Sequence, residues 1–283
     1  MRIRRAWAVV LLGPPIAFLV AFFIVPFFVL TITSFQVKDG SWTLLNYAKA
    51  VTDIYYWDTL ILTFKLSLWV TLASLAIGYP LAYYMTYRLR SRFLRRFFYV
   101  VVVTPLFTSN IVRSFGWMVM LGRRGMVNEA LLALGLVERP IAILYSEASI
   151  VIGLSYIMTP FMVLSVASVL QNIDRSLEEA ARDLGAGRLV TFLKVTLPLS
   201  LPGVIAGSLI VFTLSVSAYV TPSILSGGKM IVMSILIFQQ YMSVFDFYFG
   251  ATLAVALLMT TIVLVIGYLL VVERGPRVAG AST

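Results

Sequence analysis

Neither histidine nor cysteine occurs among the 283 residues. The commonest general base, thiolate and imidazole metal ligands, and thiol redox chemistry are therefore all excluded. Chemistry is left to 12 carboxylates, 22 basic side chains and the hydroxyls. An enzyme built from these would need paired carboxylates, or a nucleophile beside a base. No two carboxylates fall within the long apolar stretches, so no catalytic residues and no metal site are predicted. A phosphate-binding loop of the form G-x-x-x-x-G-K-[ST] is also missing. Gly227-Gly228-Lys229 is followed by Met230 and reads as a turn.

Few ionisable residues fall inside the apolar stretches, and the cost of burying them in lipid makes each a candidate for function. Lys65 lies near the outer end of its stretch, where snorkelling to the interface is the simpler role. Arg113 follows Thr104, Pro105, Thr108, Ser109 and Asn110. Pro105 frees a helix carbonyl, and such irregular polar backbone suits either the wall of a solute path or hydrogen bonding between helices. Thr213, Ser217 and Thr221 recur every four residues, hence on one helix face, with Ser215 and Tyr219 as a second pair. The candidate path residues are Thr104, Ser109, Asn110, Arg113, Thr213, Ser217 and Tyr219, with Asp246 at the outer mouth of the last stretch. Gly203-x-x-x-Gly207 reads as a close-packing site for a neighbouring helix. Both ionisable residues within the stretches are basic, which suits an anionic or zwitterionic solute, amino-acid-like or opine-like.

Composition defines the scaffold that must carry these residues. Hydrophobic residues make up 60% of the chain and charged residues 12%, where a soluble domain carries about 25% charged residues. Six stretches reach the ~20 helical residues that cross a bilayer. They lie near 7–35, 60–87, 97–121, 148–170, 201–224 and 247–272. The first follows Arg2, Arg4 and Arg5, but its apolar run is too long for a signal peptide and no cleavage site follows, so it reads as a retained helix. With the N-terminus inside, the cytoplasmic segments hold 14 of the 22 basic residues and the outer loops six. This positive-inside bias accounts for the net charge of +10 without nucleic acid. The expectation is an all-α integral membrane protein of six transmembrane helices, a single domain over 1–283, with both termini cytoplasmic. A short outer helix is predicted over Asn128–Leu136, ending at Gly135.

The loop between the fourth and fifth stretches carries the strongest pattern. Asp174 or Ser176 can cap a helix, and Ser176-x-x-Glu179 matches a capping box. Gly185 and Gly187 end that helix, and a second short helix, Arg188 to Val195, is expected to stop before Pro198. Two short helices meeting at a glycine elbow result.

Glu179-Ala180-Ala181, three residues, Gly185, nine residues, then Val195-x-Leu197-Pro198 resembles the EAA loop of type I ABC importer permeases, with Val195 where Ile is commoner. The flanking text resembles the spermidine/putrescine branch: Gly78-Tyr79-Pro80, Thr104-Pro105, Asn110-Ile-Val-Arg113, Tyr156-x-x-x-Pro160-Phe161-Met162, Leu197-Pro-x-x-x-Pro202-Gly203 and Asp246-Phe-Tyr-Phe-Gly250. These matches run in order over about 60–270, the permease core the resemblance implies, with 174–198 as the coupling loop. The resemblance implies the type I permease fold and a bacterial inner-membrane location, with Glu179, Ala180, Ala181, Arg182, Asp183, Gly185, Leu197 and Pro198 as the ATPase-coupling residues. It implies no cofactor on this chain. ATP and Mg would be used by a partner ATPase dimer, with a second related permease and an extracytoplasmic binding protein completing the importer. The solute implied is a polyamine; an amino-acid-like or opine-like solute fits the basic intramembrane residues. A self-sufficient channel or secondary transporter is the alternative, and it leaves the EAA loop without a purpose.

Overall fold

A computed structural model describes residues 2–89 and 91–273, all helix and connecting turns apart from one isolated bridge, Gln36 to Trp42. The side chains of the terminal arginines (Arg2, Arg4, Arg5, Arg274 and Arg277) lie outside the described residues. Helix α1 (Arg2–Leu19) runs through a π-helical turn into α2 (Val25–Ser34), and α3 (Leu45–Thr52) follows in the first connecting loop. The second span, α4 (Ile54–Tyr83), closes in a π turn, Tyr84–Arg88. It starts about a turn and a half earlier than hydropathy predicts, because Asp53 accepts from the Tyr55 N–H and starts the helix ahead of its apolar run.

The third span is not straight. Helix α5 (Arg92–Val103), a 3₁₀ turn Thr104–Phe107 and α6 (Asn110–Leu121) are bent by 99° at the break. Pro105 lacks the N–H that would continue α5, so the chain turns through about a right angle at Thr108–Ser109. The predicted outer helix appears as α7 (Met126–Ala133), closed by Gly135 in the left-handed conformation. The fourth span, α8 (Glu147–Asn172), is continuous through Pro160.

The elbow consists of α9 (Arg175–Asp183) and α10 (Arg188–Thr191). The expected stop before Pro198 does not occur. A π turn, Phe192–Thr196, carries α10 straight into α11 (Leu197–Val216), placing Pro198 in the first turn of α11, where a missing N–H costs little. The fifth span also ends earlier than predicted, at Val216, and α12 (Val220–Leu225) follows a break. Helix α13 (Met233–Gln239), a π turn Gln240–Val244 and α14 (Phe247–Glu273) are the last of the described elements. Among the described residues, five helical spans are thus long and apolar enough to cross a membrane, and a sixth is reached when the bent α5–α7 segment is counted as one span.

Packing divides the chain into two compact units. In the first, Met1–Asp58 with Leu236–Ile262, Thr252 donates to the Ser34 carbonyl at 2.9 Å. Tyr56 meets Phe249 edge to face at 5.2 Å, and Lys49 lies 4.3 Å over the Phe249 ring. The second unit, Thr59–Ile235 with Val263–Thr283, is built around α8. Met162, fully buried, fills the space that glycines leave on α4 and α11. A Cβ on Gly78 or Gly207 would stand 2.9 or 2.8 Å from its side chain, and one on Gly203 would stand 2.9 Å from the Ser165 carbonyl oxygen. The Gly203/Gly207 pair is therefore a close-packing site, as its spacing predicts.

Candidate functional site

Helix α9 is capped by Asp174, whose carboxylate accepts from the Ser176 N–H at 2.9 Å. That bond holds the Asp174 carboxyl below the usual carboxylate range. Its capping contribution is intact above the ordinary aspartate pKa and is lost only as the pH falls through the lowered value. Glu179 forms no capping box. It is exposed and, among the described residues, makes no hydrogen bond or ion pair. At the far end, the N–H groups of Gly185 and Ala186 donate to the Arg182 and Ala181 carbonyls at 2.9 and 3.0 Å, a Schellman closure. Gly185 has φ +86° with nothing within 4 Å of a Cβ, so backbone conformation rather than crowding demands glycine there.

The helix has two unlike faces. Glu179, Ala180, Asp183 and Gly185 are exposed, while Ala181 is half-buried. Beside them Leu184 is 90% exposed and Leu189 70% exposed. On the inner face Glu178 is buried. Arg182, although exposed, leans back toward it, with Nη2 3.6 Å from a carboxylate oxygen. Leu197 and Pro198 belong to the first turn of α11 and are half-buried there. The pattern in the sequence thus contains two physical groups: an outward face at 179–185 and an anchor at 197–198. The sequence reading missed Leu184, Leu189 and Glu178. Two leucines flanking a Gly-Ala-Gly turn in a polar loop were the available signal, because large apolar side chains beside a turn need a reason to be wet.

The predicted path residues separate. Asn110, Ser217 and Tyr219 border one cavity of about 250 Å³, with Met158 and Thr221. It lies where the third and fifth spans are both broken, and Ser114 Oγ on α6 is 3.0 Å from Thr221 Oγ1 on α12. The continuous face expected of Thr213, Ser217 and Thr221 does not exist, because α11 ends between them. Pro222 is the cause: its ring excludes a helical Ala218 carbonyl, and Ser234 takes that carbonyl at 2.7 Å. Thr213 and Ser217 donate to carbonyls of their own helix, Leu209 and Leu214, and Thr104 donates likewise to Val100. Ser109 is the exposed N-cap residue of α6. Arg113 does not stand free; its guanidinium donates to the Pro105 carbonyl and to Asn110 Oδ1, fastening the two halves of the bend. Asp246 lies in the first unit, where it accepts from the Phe249 N–H and caps α14.

Lys65 has a partner that its position in the sequence does not announce. It forms an ion pair with Glu147 at 2.8 Å, each side chain almost half exposed. The pair stands at the edge of an apolar cavity of about 550 Å³ walled by Phe64, Leu68, Phe212 and Tyr268. Sequence spacing could not have joined residues 65 and 147.

Helices long and apolar enough to cross a membrane, with the third and fifth spans broken, make this a membrane protein. Residues 74–274 match the family described as "Binding-protein-dependent transport system inner membrane component", and the chain belongs to that family. It is similar to the spermidine/putrescine transport system permease protein PotB of Escherichia coli (strain K12), 32% identical over 263 residues, covering 91% of this chain and 93% of that protein. PotB of Haemophilus influenzae is 31% identical over 261 residues, 89% of each chain. A solved bacterial ABC transporter involved in the import of the acidic polysaccharide alginate shares the fold, with a TM-score of 0.73 at 18% identity over 98% of both chains. This chain is a multi-pass inner-membrane permease subunit of an ABC importer for a small solute.

Proposed function

We propose that the α9–α10 elbow is the handle by which a separate cytoplasmic ABC ATPase dimer drives this permease. The termini are cytoplasmic, a second related permease completes the path, and an extracytoplasmic binding protein delivers the solute. The observation that carries this reading is the outward face of the elbow. Among the described residues, Glu179 and Asp183 offer carboxylates without an ion-pair partner beside Leu184 and Leu189, two water-exposed leucines. A surface that joins wet leucines to charge fits a partner groove better than it fits water. Ala180 is small enough to let the helix sit deep in such a groove.

The solute enters at the cavity between the two broken spans. Freed backbone groups are tolerated within a membrane where they line a cavity, and Asn110 and Tyr219 add polar side chains to this one. A polyamine is the solute class the PotB relatives' names suggest. Titrating the companion binding protein calorimetrically with polyamines, amino acids and opines reads the class directly.

Co-purification with the ATPase tests the docking. The expected result is that Glu179→Lys and Gly185→Asp insert normally yet lose solute-stimulated ATP hydrolysis. Undiminished coupling in both variants would refute the docking assignment.

A further inference from the structure

Glu178 is a carboxylate where the loop needs none. Its neighbours on α9 are exposed, yet its side chain is only 8% exposed, turned inward beneath the helix. One oxygen accepts from Thr196 Oγ1 at 2.6 Å, and Arg182 Nη2 lies 3.6 Å from the other. Burying a carboxylate is expensive unless strong hydrogen bonds hold it, so this placement has a structural reason.

The partners explain it. Thr196, 1% exposed, is the last residue of the π turn that leads into α11. Tyr87 lies in the π turn that ends the second span, and its buried hydroxyl stands beside the same carboxylate without completing a hydrogen bond. Arg175 of α9 lies 5.6 Å over the Tyr87 ring. A polar cleft of about 290 Å³, bordered by Tyr83, Tyr87 and Thr196, leaves the Glu178 carboxylate room to shift. One buried carboxylate therefore faces two membrane spans, each through a π turn. A π turn replaces the regular i→i+4 ladder with a wider one and is a recurrent site of helix adjustment.

We propose that Glu178 is the positioning residue that passes movement of the elbow to the spans, holding Thr196 of the fifth span, with Tyr87 of the second as its alternative donor. The inference rests on the docking reading above. Glu179 and Leu184 face the ATPase, whereas Glu178 faces the membrane domain. A pull on α9 is then carried by the Glu178–Thr196 bond into α11. Transfer of the carboxylate to the waiting Tyr87 hydroxyl releases the fifth span and engages the second.

Reconstituted complexes of wild type, Glu178→Ala, Glu178→Gln, Thr196→Val and the Glu178→Ala/Thr196→Val double variant test this. Each single loss, Glu178→Ala or Thr196→Val, should lower solute-stimulated hydrolysis about ten-fold or more, the scale of one charge-assisted hydrogen bond, with ATPase binding and basal hydrolysis intact. The double variant should be no worse than either single one, because both remove the same link. Glu178→Gln keeps an acceptor for Thr196 and should recover part of the stimulation. Should Glu178→Ala fail to assemble, the isosteric Thr196→Val carries the same expectation. Wild-type stimulation in the single variants, or losses that multiply in the double variant, would overturn the inference. A wild-type complex that binds no ATPase would instead overturn the docking reading on which it rests.

Discussion

Gly203→Leu should abolish the folded permease, and even Gly203→Ala should lower its thermal stability. A Cβ at this position meets the Ser165 carbonyl oxygen at 2.9 Å and Val169 Cγ2 at 2.9 Å. Backbone oxygen cannot rotate away as a side chain can, so α11 must move off α8. Overpacking of this kind typically costs about 1–3 kcal/mol, and a leucine adds three further carbons to the same gap. The fourth span is the packing centre of its unit, so the loss propagates to the Gly207–Met162 and Gly78–Met162 contacts. Gly116 on α6 has nothing within 4 Å of a Cβ and supplies the control. Gly116→Ala should be neutral or slightly stabilising, since alanine is the better helix former by about 1 kcal/mol. Fluorescence-detected gel filtration after heating distinguishes the two. Equal melting of Gly203→Ala and Gly116→Ala would show that α8 and α11 are not packed as described.

Replacing Leu184 and Leu189 with aspartate should detach the ATPase while leaving the membrane domain folded. Both side chains are largely exposed, so their loss removes no packing from this chain. In a seated complex they would be desolvated, and anchors of that kind cost about 2 kcal/mol or more when lost, roughly 30-fold in affinity each. Retained co-purification of the double aspartate variant, measured against wild type at equal expression, would place the docking surface elsewhere.

The parts of the fold set by long-range apolar periodicity were legible from the residues alone. Each predicted apolar stretch is mostly helix, because helix satisfies the backbone of a long apolar run in lipid. Breaks were less legible. Pro105 with Thr108 and Ser109 announced irregular backbone in the third span, but not a 99° bend. In the fifth span the regular spacing of Thr213, Ser217 and Thr221 hid the break, although Pro222 was the signal for it. Pairings between distant residues, such as Lys65 with Glu147 or Glu178 with Thr196, leave no trace in local spacing. In the elbow the glycine hinge and the outward residues were readable, because capping and left-handed turns are local chemistry. Glu178 was not, since its burial depends on two spans that approach it from elsewhere.

The absence of native cysteine permits the most direct test of the account. A single Leu184→Cys variant, assembled in inverted membrane vesicles, should cross-link through a short bifunctional reagent to a separate ABC ATPase subunit. Labelling by an impermeant maleimide should occur in inverted vesicles and not in intact spheroplasts. Labelling in spheroplasts, or an unlinked cysteine in vesicles that still couple transport to hydrolysis, would contradict the claim that this elbow is the ATPase's handle.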